Sequence, residues 1–188
     1  GELLPAKEAL GRVGLEPVDL SSKEGLALVN GTTSVTALGA LALYDMIKAA
    51  KSADIVGAMT LEVLKGSVRA YDDRLMRIRP HEEQRKTAEN IRTILKDSMI
   101  AKHYEHYRLQ DALSLRCMSQ LHGAAKKTFN DALRTVETEM NSCCDNPILW
   151  PDGDDGEAIS GGNPDSSYVG IEMDSACIAA TAIAKMSE

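Results

Sequence analysis

The chain has 188 residues and a formal net charge of −7 at pH 7, so one domain with one substantial core is expected. The acidic balance argues against a nucleic-acid-binding protein, since no basic stripe is concentrated enough to offset it. Aromatic residues make up only 4% of the chain, which favours close-packed helices over a β-sandwich. We therefore expect an all-α fold, a bundle of long helices with one small β-hairpin, forming a single helical domain over residues 1–188.

The sequence predicts a cytoplasmic protein with no membrane partner. Its first residues lack the basic and then apolar order of a secretory signal peptide. The longest apolar run, from Val35 to Tyr44, is too short to cross a bilayer. The four cysteines show no zinc-binding spacing and are expected to be reduced thiols.

Helical periodicity and helix-breaking residues predict the main helices. Their expected ranges are residues 33–50, 54–64, 81–96, 113–140 and 165–186. Gly39 implies a close helix–helix contact, because glycine costs about 1 kcal/mol of helix propensity relative to alanine. A short helix with Glu24 in its first turn is expected to be capped by Ser21 or Ser22.

Two further segments are expected to lie outside the helices. Short apolar runs at 148–150 and 158–160 flank an acidic turn and predict a β-hairpin. His103 and His106, with Glu105 between them, invite a metal interpretation, but their spacing is not that of a zinc motif. No second cluster supports a metal, so we predict a polar loop there and no metal site.

A polar tip, Asn30-Gly31-Thr32-Thr33, interrupts an apolar stretch just before a long helix rich in small residues. Asparagine carries two donors and one acceptor group, and at a helix junction it can orient a carbonyl or a carboxylate. The same residues also form a good turn and helix N-cap. The chemistry of the residues leaves both interpretations open.

Five short segments follow one another in an order that is specific to one enzyme family. They are Lys23–Thr32 (KEGLALVNGT), Arg79–His81 (RPH), Gln110–Cys117 (QDALSLRC), Asp145–Pro147 (DNP) and Ser160–Asn163 (SGGN). Together they resemble the aromatic amino acid ammonia-lyase family, and within it the histidine ammonia-lyases. The resemblance runs from about Leu3 to the C-terminus and covers only the middle portion of a family chain.

The resemblance implies β-elimination of ammonia from an amino acid, with L-histidine to urocanate as the ancestral reaction. Family enzymes use an electrophile, a methylidene-imidazolone group formed by cyclisation of an internal Ala-Ser-Gly. No Ala-Ser-Gly occurs within residues 1–188. Ile159-Ser160-Gly161 falls in the SGGN-like loop and is not assigned the role. We therefore expect no such cofactor in this chain.

The resemblance also assigns site residues. Asn30 matches an asparagine that contacts the electrophile, Gln110 matches a polar active-site residue, and Arg116 matches the arginine that holds the substrate carboxylate. A guanidinium fork suits that role, although Arg116 alone would be interpreted as a surface or salt-bridged residue. Leu113 stands where the family has a catalytic tyrosine, and Pro164 where it has an aromatic residue. Asn30 and Gln110 are accordingly expected to be vestigial.

These departures predict a truncated or degenerate histidine ammonia-lyase-like protein that is inactive as this chain alone. Two alternatives stay open. One is a non-catalytic helical oligomerisation or scaffold protein. The other is one subunit of a split enzyme, whose partner supplies a complementary N-terminal half with the Ala-Ser-Gly segment. The resemblance also implies an oligomer, because family members form homotetramers with shared central helices. We therefore expect a homo-oligomer, either a dimer or a tetramer.

Overall fold

The computed structural model describes residues 1–188, and its architecture is mostly helical with one two-stranded sheet. This confirms the predicted fold class. The elements in chain order are α1 (Ala6–Arg12), α2 (Glu24–Val29), α3 (Thr33–Val63), the 3-10 helix Val68–Tyr71, α4 (Asp73–Ile78), α5 (Glu82–Ile94), α6 (Met99–His103), α7 (Leu113–Arg116), α8 (Met118–Met140), β1 (Ile148–Asp152), β2 (Asp155–Ile159) and α9 (Ser167–Met186).

The chain divides into two compact units. Unit 1 consists of Gly1–Gly31 and Cys144–Pro164, and contains α1, α2 and the two strands. Unit 2 consists of Thr32–Cys143 and Asp165–Glu188, and contains all the other helices.

The hairpin of unit 1 has the predicted place and an antiparallel register. Ile148 pairs with Ile159, and Asp152 pairs with Asp155. Gly153 has a φ of +58° and forms the tight connection with Asp154, a turn that needs positive φ and therefore favours glycine.

Helix α8 is the central element of unit 2, and it packs against α3, α5 and α9. One core cluster joins α3, α8 and α9 and is built mainly from small side chains around one aromatic ring: Leu43, Ala50, Ala125, Phe129, Ala132, Val136, Ala176 and Ala179. A Cβ at Gly39 would lie 3.4 Å from Met173 of α9. The close contact predicted from Gly39 is thus present.

A second core cluster of unit 2 surrounds the 3-10 helix. Its buried members come from α3, α4, α5 and α8 as well: Ala58, Leu61, Tyr71, Met76, Ala88, Ile91, Leu95 and Met118. Tyr71 is fully buried, and its hydroxyl donates a hydrogen bond to the Leu115 carbonyl. Burial raises the pKa of the Tyr71 phenol well above its usual range, so the hydroxyl remains a donor.

Three local predictions were wrong. Helix α3 runs unbroken through residues 51–53, because Ala50 and Asp54 both lie on its buried face and no glycine or proline separates them. The predicted helix 113–140 is interrupted at Cys117, where the Leu115 carbonyl accepts from Tyr71 rather than from the helix.

The third wrong prediction concerns the start of α2. Neither Ser21 nor Ser22 caps that helix. Its N-cap is Lys23, which has a φ of 69°. The Glu24 carboxylate instead accepts a hydrogen bond of 2.7 Å from the Ser21 backbone N–H.

One face of α3 is apolar and exposed. Its members are Val35, Leu38, Leu41, Tyr44, Ile55, Val56, Met59 and Val63. Segment Glu24–Val63 contains a window of mean hydropathy 1.5 that could cross a membrane by length and composition, as core helices of soluble proteins also can. The middle of α3 carries Asp45, Lys48 and Lys51, and charged residues are costly within a bilayer.

A buried carboxylate links three helices of unit 2. Asp54 of α3 is 2% exposed, and its Oδ1 lies 3.0 Å from Nδ1 of His122 in α8. Its Oδ2 accepts from Asn90 of α5 at 2.8 Å and from the ammonium of Lys126. Lys126 also donates to the Thr87 hydroxyl. Both carboxylate oxygens are therefore satisfied by hydrogen bonds, as a buried charge requires.

Replacing Asp54→Asn should lower the free energy of unfolding by about 3 kcal/mol, because Lys126 would be left buried without its counter-charge. Burial by itself raises the pKa of Asp54, but hydrogen bonds from His122, Lys126 and Asn90 lower it to below its usual value. This contribution is therefore complete above about pH 4 and is lost as the pH falls through the folded-state pKa. Urea unfolding between pH 2 and 7 measures both effects.

The matched control for Asp54 is Asp131→Asn on α8. Asp131 also pairs with two cations, Lys127 and Arg134, but these lie at the surface. This substitution should cost less than about 1 kcal/mol. Equal losses in the two variants, or an unchanged acid-induced loss of stability in Asp54→Asn, would contradict the role given to the buried network.

Candidate functional site

In unit 1, three of the sequence motifs meet around residues 144–146. Lys23 forms an ion pair with Asp145, and this ion pair lowers the pKa of the Asp145 carboxyl. Oδ1 of Asn146 accepts from the Gly161 N–H at 2.7 Å and from the Ser160 hydroxyl at 3.2 Å. The DNP motif thus joins the KEGLAL and SGGN motifs.

Asn30 lies at the end of α2 in unit 1 and is exposed. The following residue, Gly31, has a φ of +93°, and a Cβ there would lie 2.6 Å from the Cys144 carbonyl oxygen. Only glycine therefore fits this position. Asn30 also has no side-chain hydrogen bond within the chain, so its amide is available to a ligand. This arrangement is more specific than a simple turn.

In unit 2, Gln110 and Arg116 line one cavity of about 520 Å³. The other lining residues are Ser67, Arg69, Ala70, Asp72, Arg74, Leu75, Glu105, Arg108, Leu109 and Asp111. The structure therefore brings together two of the three predicted site residues. The third, Asn30, belongs to unit 1.

Four arginines and three acidic residues give this cavity a mixed charge, and most of the arginines have partners. Arg74 forms two side-chain hydrogen bonds with Asp72, at 2.9 and 2.7 Å. These bonds hold the pKa of Asp72 far below its usual range. Arg108 bonds to Asp111 at 3.2 Å and to the Leu64 carbonyl.

Arg116 is the partly buried arginine of the cavity, and only one of its nitrogens is engaged. Its Nε donates to the Asp111 carbonyl at 2.8 Å. The two terminal nitrogens have no hydrogen bond within the chain. A guanidinium fixed in this way can bind a carboxylate through its free nitrogens.

Asp111 is the residue of this site to which the sequence assigned no role. It is 6% exposed, and its Oδ2 accepts from the Ser67 backbone N–H at 2.6 Å. Its position in the QDALSLRC motif, directly after Gln110, is the sequence signal that could have identified Asp111 as a residue of this site. Arg108 was missed as well, although its place three residues before Asp111 could have indicated the ion pair.

The two departures from the family pattern lie in different units. Leu113 is 66% exposed at the start of α7 and does not line the cavity of Gln110 and Arg116. Pro164 is half-buried at the end of unit 1.

The rings of His103 and His106 contact different residues. His103 packs edge-on against Tyr104, and His106 lies 3.4 Å from Arg69.

Curated relatives match the whole of this chain. A histidine ammonia-lyase from Sorangium cellulosum is 49% identical over 192 residues, which is 100% of this chain and 37% of the relative. Histidine ammonia-lyase 2 from Fusobacterium nucleatum is 44% identical, again over 100% of this chain and 37% of the relative. The chain therefore spans little more than a third of the length of these relatives.

Solved structures share the fold. Histidine ammonia-lyase from Trypanosoma cruzi superposes with a TM-score of 0.83 at 33% identity, covering 96% of this chain and 33% of that one. Phenylalanine ammonia-lyase from Rhodosporidium toruloides superposes with a TM-score of 0.86 at 33% identity, covering 98% and 28%. Residues 1–188 match the family described as aromatic amino acid lyase. The chain thus belongs to the aromatic amino acid lyase family.

Proposed function

We propose that this protein is of the histidine ammonia-lyase type and that residues 1–188 provide the group that binds the substrate carboxylate. The observation that carries the proposal is Arg116, whose terminal nitrogens are unpartnered in a cavity that Gln110 also lines. The relatives named histidine ammonia-lyase, 42–49% identical across this chain, support histidine as the amino acid.

Each predicted residue has a distinct task in this proposal, Arg116 and Gln110 in unit 2 and Asn30 in unit 1. Arg116 binds the carboxylate of the amino acid and so orients its α-carbon. Gln110 offers amide groups at the rim of the same cavity. A methylidene-imidazolone group, where the natural gene product forms one, would supply the electrophile that activates the amine as a leaving group. The Asn30 amide, which has no partner within the chain, fits a hydrogen bond to such a group.

The arginine is tested in the natural gene product with L-histidine as substrate. Arg116→Met keeps the apolar stem but removes the fork, and kcat/KM should fall by at least about tenfold, chiefly through KM, because a charge-assisted carboxylate contact is lost. Urocanate formation under steady-state conditions gives both parameters.

Arg77→Met is the control for that substitution. Arg77 forms an exposed ion pair with Asp73 on α4 and does not line the cavity, so its loss should leave kcat/KM unchanged. Equal effects of the two substitutions would contradict the carboxylate role of Arg116.

Residues 1–188 by themselves should release no ammonia from L-histidine above a heat-killed control. They contain no Ala-Ser-Gly, and Leu113 stands where the family has its catalytic tyrosine, whose loss commonly costs a hundredfold to ten-thousandfold in rate, roughly. Leu113→Tyr should not restore activity to this isolated chain. Ammonia release by either form would refute the prediction.

A second candidate function is a non-catalytic oligomeric scaffold. It is favoured by Leu113 and by the exposed apolar face of α3, and it predicts no activity even in the natural gene product. Both candidates predict self-association, since an exposed apolar helix face is typical of an interface between subunits.

Self-association through α3 is tested by sedimentation velocity. Leu38 and Leu41 are 70% and 68% exposed, so the double substitution Leu38→Lys/Leu41→Lys should shift the protein to monomer without unfolding it. Val13→Lys, at the exposed apolar C-cap of α1, is the matched control and should leave the oligomer intact. A protein that is monomeric before substitution would exclude this interface.

A further inference from the structure

The segment that carries Arg116 is held at both ends by the 3-10 helix Val68–Tyr71. At one end, the Asp111 carboxylate accepts a hydrogen bond of 2.6 Å from the backbone N–H of Ser67, the residue that precedes the 3-10 helix. At the other end, the hydroxyl of Tyr71, its last residue, donates to the Leu115 carbonyl. The five residues from Ser67 to Tyr71 thus hold both ends of the five-residue segment from Asp111 to Leu115, which directly precedes Arg116.

Both contacts are well suited to fixing a position. Asp111 is buried and Tyr71 is fully buried, so solvent competes little with either hydrogen bond. The Asp111 carboxylate has a second partner, Arg108 Nη1 at 3.2 Å, so each of its oxygens accepts one hydrogen bond. The segment is consequently restrained by residues 67–71, which are distant in sequence, and by Arg108, which lies three residues before Asp111.

The restraint reaches Arg116 directly. Its Nε donates to the backbone carbonyl of Asp111 at 2.8 Å, so the direction of the guanidinium depends on where that carbonyl lies. The Tyr71 bond also withdraws the Leu115 carbonyl from the helical pattern, in which it would accept from Ser119. The chain breaks at Cys117 instead, and Arg116 stays on the short helix α7.

We infer that Asp111 is a positioning residue for Arg116, and that Tyr71 assists it from the other end of the segment. The inference rests on the proposed role of Arg116 as the carboxylate-binding group. Asp111 acts through the backbone that it anchors and does not itself contact the ligand.

The test uses two probes and the natural gene product. Urocanate carries an imidazole ring and a carboxylate, whereas imidazole carries the ring alone. Asp111→Asn retains one acceptor oxygen but presents an amide to either Ser67 or Arg108, which are both donors. Calorimetry should show at least about a tenfold loss of urocanate affinity and an unchanged affinity for imidazole.

A purely electrostatic effect of Asp111→Asn would change the urocanate affinity in the opposite direction. Removing a carboxylate from this cavity should strengthen the binding of an anion, so a loss of urocanate affinity cannot be a simple charge effect. Asp73→Asn, next to the cavity wall and paired with Arg77, is the matched control and should leave both affinities unchanged.

A double-mutant cycle with Arg116→Met identifies the route of the effect. If Asp111 acts through Arg116, then Asp111→Asn adds no further loss of urocanate affinity once Arg116 is absent. Additive losses would overturn the inference, and so would equal losses for urocanate and imidazole. If Arg116→Met weakens urocanate but Asp111→Asn does not, the positioning role fails while the carboxylate role of Arg116 stands. If Arg116→Met has no effect on urocanate, both proposals fail.

Tyr71→Phe provides a second, milder variant should Asp111→Asn fail to fold. It removes only the hydroxyl that holds Leu115 and keeps the buried ring. Urocanate affinity should fall severalfold with imidazole affinity unchanged, since a neutral hydrogen bond is worth about 1 kcal/mol. Wild-type affinity for urocanate in Tyr71→Phe would overturn the assistance assigned to that residue.

Discussion

The helical body of unit 2 depends on one buried carboxylate. Asp54 lies where α3, α5 and α8 meet, and it accepts hydrogen bonds from Asn90, His122 and Lys126. The core around it is built largely from alanines, whose packing allows close contact but provides little shape to fix one helix against another. A charged group with partners on two further helices supplies that specificity, because any sliding of the helices would leave it buried and unpaired.

In the same unit, the side chains of the candidate site are held in position in a different way. There, irregular backbone rather than a long helix presents the important side chains. The 3-10 helix Val68–Tyr71 holds the segment from Asp111 to Leu115 at both ends, and the helix that could have continued from α7 into α8 is interrupted. An arginine on an uninterrupted helix would point in the direction set by helical geometry. Arg116 instead ends the four-residue helix α7, and its Nε donates to the Asp111 carbonyl, which fixes the direction of the guanidinium.

Membership of the aromatic amino acid lyase family fits both features. The structures that superpose on this chain include an ammonia-lyase named for histidine and another named for phenylalanine. The carboxylate role proposed for Arg116 is consistent with that range, since every amino acid carries the same carboxylate while the side chains differ. Fold likeness alone does not select among substrates. For this reason the proposal of histidine rests on the sequence relatives.

Much of the architecture could be predicted from sequence alone. The helical class, the hairpin around the acidic turn and the close contact at Gly39 all follow from local composition and from residues whose preferences are strong, such as glycine. Arg116 and Gln110 could be selected only through the resemblance of their motif, and the structure then placed them in one cavity. The wrong prediction at Cys117 occurred where a distant group overrides a local preference. Helical periodicity runs through Cys117, and no local pattern indicates that Tyr71 would take the carbonyl of Leu115.

The sequence by itself thus determined which residue types are present, where helices can form and which motifs accompany one another. The tertiary structure alone decided the distant partners of the buried charges, namely Asp54 with His122 and Lys126, and Asp111 with Ser67. The physical reason is the range of the forces involved. Helix propensity and turn preference act over a few neighbouring residues, whereas a buried ion finds its partners across 36 to 72 positions of chain, once packing has excluded the water that would otherwise solvate it.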